Sequence, residues 1–89
     1  MLEGTPNDDL FGRALAGSHR GRAYILAGAL DDARAQLRAL EADPVSTIGV
    51  AAVYRGIFEA ELALAEHDWH RAHAITQQVN ASLRSQWLS

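Results

Sequence analysis

The strongest constraint on this fold is residues 46–66, whose period is helical and which are apolar around most of the helix. Val50, Val53, Ile57 and Leu64 mark one face, and Ile48, Ala51, Phe58, Leu62 and Ala65 mark another. Polar residues are confined to a thin stripe through Arg55, Glu59 and Glu66, with Glu61 apart from it. Such a helix has to be covered on at least two sides. The rest of the chain must therefore supply packing partners for it.

Three further helical segments are expected. The first opens at Thr5 as N-cap, with Pro6 at the first helical position and Asp8 and Asp9 in the first turn. Leu10, Ala14, Gly17, Gly21, Tyr24 or Ile25, and Gly28 then recur at steps of three and four, and Gly28 is placed as a C-cap glycine. Gly12, Gly17 and Gly21 each cost about 1 kcal/mol relative to alanine, so a break or kink is expected over Ser18–Gly21. The second helix is expected from Leu30 to Ala42, with a stripe of Leu30, Ala33, Leu37 and Leu40. Asp43-Pro44 stops it, because a residue before proline avoids the helical region. The last helix runs from Asp68 as N-cap to about Arg84, burying Ala72, Ile75, Val79 and Leu83. No alternating β-branched run and no Asn-Gly or Asp-Gly hairpin turn is present.

The expected class is all-α: two antiparallel helical hairpins forming one domain over residues 1–89. Hairpin 1 spans about 5–43 and hairpin 2 about 45–86. A plain antiparallel four-helix bundle is the alternative.

Several function classes are argued against. A formal net charge of -3 gives no electrostatic footprint for nucleic acid or for an anionic membrane surface. No run reaches the ~18 apolar residues a spanning helix needs. With no cysteine there is no disulfide and no thiolate ligand or nucleophile. Met1 to Asp9 show neither the basic nor the apolar part of a secretory leader, so a cytoplasmic location is expected. Ser18 and His19 are adjacent and cannot face each other on a helix, and no Gly-rich phosphate loop or nucleophile elbow is visible. His67, His70 and His73 recur every three residues, whereas two histidines share a metal best at i, i+4; exposed polar histidines are expected instead, and no cofactor or metal is. A helix-turn-helix over Ala35–Arg55 fails because its recognition face would be apolar. The chain is thus not expected to be an enzyme.

The spacing of Gly21, Tyr24, Gly28, Ala33, Leu37 and Leu40 resembles a tetratricopeptide repeat, with Pro44 one residue early for the proline that ends it. A second unit is similar around Ala60, Ala63, His67, Ala72 and Val79, where His67-Asp68-Trp69-His70-Arg71-Ala72 resembles the family's turn, with His67 in place of glycine and Thr76 in place of a bulky residue. Ala33 and Ala72 are 39 residues apart, about five more than the ordinary period. That longer period is similar to the helical-repeat regions of MalT-type, LuxR-family regulators and to small repeat-built secretion chaperones.

The resemblance implies a protein-binding module without chemistry of its own. It places Ser18, Arg22, Tyr54, Ile57 and Glu61 along a concave groove; read by themselves, Tyr54 and Ile57 are core, and Arg22 and Glu61 are solvated. For Glu61 a partner such as Arg22 or Arg55 is expected rather than a catalytic role. Two units are fewer than an array needs, and Trp69 and Trp87 add apolar surface. The expected partner is therefore protein: first a homodimer through Trp87 and the third helix, otherwise a partner chain or further repeats. A chaperone shielding a client helix and a fragment of a transcriptional activator are the other expectations.

Overall fold

A computed structural model describes the backbone of residues 6–88 and the side chains of residues 12–85. It is all-α: α1 (Pro6–Leu26), α2 (Leu30–Glu41), a 3-10 turn (Pro44–Thr47), α3 (Gly49–Ala65) and α4 (Trp69–Leu88). The proposed N-cap at Thr5 lies outside the described residues. α3 is central and packs on α1, α2, the 3-10 turn and α4, whereas among the described residues α4 packs on α3 alone. The four helices are therefore not closed around one core, as a bundle would be.

Two boundaries differ from the sequence reading. The expected third helix absorbed a separate element, because Asp43 is extended before Pro44 and its Oδ1 accepts the Val45 amide at 3.1 Å, capping a 3-10 turn. Ser46 anchors that turn in the core, donating its hydroxyl to the carbonyls of Leu40 and Asp43. Ile48 is extended and Gly49 has φ of 54°, so α3 starts only there. The second difference is in α1, which runs unbroken through Ser18–Gly21. Gly17 and Gly21 serve close packing: a Cβ on Gly17 would lie 2.9 Å from both Gln36 Nε2 and Leu40 Cδ2, and one on Gly21 would lie 2.2 Å from Phe58 Cζ.

The two hairpins are built to one plan. Gly28 closes α1 with φ of 78°, its amide donating to Ile25 and the Ala29 amide to Tyr24. The same pair of bonds closes α3, from His67 to Leu64 and from Asp68 to Ala63, with His67 at φ of 64°. A non-glycine residue in that conformation costs on the order of 1 kcal/mol, so His67 holds the turn at some expense to stability. Asp68 then caps α4, its Oδ1 accepting the Arg71 amide at 3.1 Å. Ala33 and Ala72 are both buried where the paired helices approach. Gly17 meets Leu40, and Gly56, which stands 39 residues after Gly17, meets Val79, with a Cβ there 2.5 Å from Val79 Cγ2.

The core lies between the hairpins: Ala33, Leu37, Leu40, Phe58 and Leu62, with Tyr24, Ile25 and Leu30 against it. Ion pairs tie α3 and its end to each of the other helices, Arg22–Glu61, Arg34–Glu66 and Arg71–Glu59. These are partly exposed, and pairs of that kind contribute about 0–1 kcal/mol each. Burial of the apolar surface carries the fold.

Candidate interaction groove

The central helix is covered on at least two sides, by hairpin 1 and by α4, but part of one apolar face stays open. Phe58 and Leu62 are buried against hairpin 1 and Ala51 is buried too, whereas Ile48 before the helix is 55% exposed. On the other face Val50 and Leu64 remain 54% and 47% exposed, and Ile57 is half-buried. The cause is topological. α4 covers the side of α3 that carries Gly56, and among the described residues no other element packs over the rest.

What remains open is a groove of about 380 Å³ between α3 and α4. α3 lines it with Ile57, Ala60, Glu61 and Leu64; α4 lines it with Val79 and Leu83. Val79 and Leu83 are half-buried, so the stripe expected for α4 is covered only at Ala72 and Ile75. Glu61 stands at the rim and also borders a smaller hollow formed with Arg22, Ile25 and Leu26. Arg22 Nη2 donates to Glu61 Oε2 at 3.3 Å, and its Nε lies 2.6 Å from Oε1, off the line a good hydrogen bond needs. The groove is apolar in its floor and carries one charge pair at its edge. That combination suits an amphipathic helix.

The residues singled out from sequence are divided by the structure. Ile57 and Glu61 line the groove, and Arg22 reaches its edge through Glu61. Tyr54 is half-buried with its ring 5.6 Å from that of His19, away from the groove. Ser18 is 1% exposed and its Oγ has no hydrogen-bond partner, so it belongs to the packed interior and is closed to a partner. The side chain of Trp87 lies outside the described residues. Ala60, Leu64, Val79 and Leu83 were missed as site residues. The signal for them was in the repeat: Ala60 stands 39 residues after Gly21, the seat of Phe58.

Among the described residues no three His, Cys, Asp or Glu side chains stand together in metal-binding reach. His67 meets Trp69 edge-on, with ring centroids 5.6 Å apart. Among the described residues no helix is long and apolar enough to cross a membrane. The chain matches no protein-family model, no curated protein and no solved structure.

Proposed function

We propose that this chain is a non-catalytic protein-interaction module of tetratricopeptide-like hairpins, which holds a helix of another protein in the groove between α3 and α4. The observation that carries the reading is the open apolar face of hairpin 2, where the corresponding face of hairpin 1 is covered by α3. Helix-in-groove recognition uses an apolar floor for affinity and a charged rim for register. A chaperone that shields a client helix would use the same surface. The setting we propose is cytoplasmic.

The second reading is a homodimer through this same groove, favoured by the half-exposed Leu64 beside Ile57 and Leu83. Light scattering on a sizing column, across a dilution series, separates the two. The partner reading predicts a monomer of 9.7 kDa at every concentration. A dimer that dissociates on dilution and is abolished by Leu64→Lys would transfer the proposal to the second reading. A dimer indifferent to Leu64→Lys would contradict both.

A further inference from the structure

The 39-residue step relates more than the two turns. At matched positions hairpin 1 is covered and hairpin 2 is not: Ser18, Gly21, Leu37 and Leu40 are buried, whereas Ile57, Ala60, Thr76 and Val79 are half-buried or exposed. In hairpin 1 the cover is α3. It sets the Phe58 ring over Gly21, in the cluster with Leu37 and Leu40, and it brings Glu61 to Arg22. Advanced by one step, the seat of Phe58 becomes the groove floor at Ala60, Thr76 and Val79, and the place of Arg22 is taken by Glu61. The charge at that position reverses between the two hairpins.

Resting on the protein-binding reading above, we propose that the occupant of the groove is a partner α-helix lying as α3 lies on hairpin 1. It carries a bulky apolar anchor, a Lys or Arg three residues later to meet Glu61, and a second apolar residue one position after that. These are the positions of Phe58, Glu61 and Leu62 in α3, with the sign of the charge exchanged. Two observations beyond the apolar floor support the assignment. The groove adjoins the interface by which α3 already covers hairpin 1, since Glu61 lines the groove and also pairs with Arg22. Its rim charge is also the one a basic residue complements, since a carboxylate accepts more hydrogen bonds than Arg22 supplies.

A second copy fits less well. Stacked head to tail, its α1 would offer His19, Arg22 and Ala23 at these places: the base is present, but the bulky anchor is replaced by His19 and the second apolar residue is only Ala23. Paired face to face, the two copies would bring Glu61 toward Glu61.

The test titrates a synthetic peptide of residues 46–66 carrying Glu61→Arg onto the full chain with labelled methyl groups. That peptide has the anchor Phe58, the base and Leu62 in the required register. The expected result is saturable shifts at the Ile57, Leu64, Val79 and Leu83 methyls, with affinity falling at least about tenfold for the unmodified peptide or for one that also carries Phe58→Ala. Leu64→Lys in the protein should abolish the shifts while leaving the fold's spectrum intact. Absence of saturable binding overturns the inference, as do shifts confined to Leu37 and Leu40, which would mean exchange with the chain's own α3. Equal affinity for the Glu61→Arg and unmodified peptides at the groove overturns the charge assignment but leaves the protein-binding reading in place. A dimer that already fills the groove overturns the inference and the partner reading together.

Discussion

Phe58→Ala should remove about 3–5 kcal/mol of stability, the largest loss expected from any single substitution described here. Phe58 is 0% exposed and is the contact through which hairpin 2 reaches the centre of hairpin 1. Truncation removes the transfer energy of the ring and leaves a cavity lined by Leu37, Leu40 and Leu62. Gly21 cannot fill that cavity from the facing helix, since it has no side chain. Domains are stable by about 0.05–0.15 kcal/mol per residue, or ~4–13 kcal/mol at 89 residues, so the variant should lose about a quarter of its stability or more. Urea unfolding followed by circular dichroism gives the value. A loss below about 1 kcal/mol would mean that the ring does not couple the hairpins.

Gly21→Ala should destabilise the chain although it replaces glycine with the best helix former. The added Cβ would lie 2.2–2.5 Å from the Phe58 ring carbons, and a ring sealed in the core has no room to retreat. Overpacking of this kind costs about 1–3 kcal/mol, which outweighs a propensity gain of about 1 kcal/mol. Gly12→Ala is the control in the same helix. Nothing lies within 4 Å of its Cβ, so there the gain of about 1 kcal/mol should appear undiminished. The same denaturation measurement should thus move in opposite directions for the two variants. Equal gains at both positions would contradict the close approach of α1 and α3.

Much of this architecture can be read in the sequence because its turns are written in single residues. Gly28 and Asp43-Pro44 stop α1 and α2, and Asp68 starts α4, each for a local reason that no tertiary contact needs to assist. The central place of α3 follows from its apolar circumference, a property of the segment alone. Other features depend on what lies opposite. Gly17 and Gly21 look like helix breakers until Leu40 and Phe58 are set against them. Ser18 looks like a groove residue until the covering α3 seals it. Its counterpart Ile57 has the same local position but is only half-buried, since hairpin 2 has no successor among the described residues. Arg22 is one of the two partners the sequence offers for Glu61, because a carboxylate beside an apolar helix side needs a cation, and the structure selects it. The groove floor was missed because periodicity gives a helix's apolar side without saying which neighbour arrives to cover it.

The central claim is that hairpin 2 repeats hairpin 1 but lacks its cover. Native-state hydrogen exchange across low denaturant tests it most directly, by comparing α4 with α2, its counterpart in the repeat. Among the described residues α2 is held by α1, α3 and the 3-10 turn, whereas α4 is held by α3 alone. Amides of α4 from Ile75 to Leu83 should therefore open in a separate step, below the free energy of global unfolding, while those of α2 around Leu37 and Leu40 exchange only with the whole molecule. Equal protection of α2 and α4 in a monomeric sample would contradict the account, because the missing cover would then have no energetic consequence.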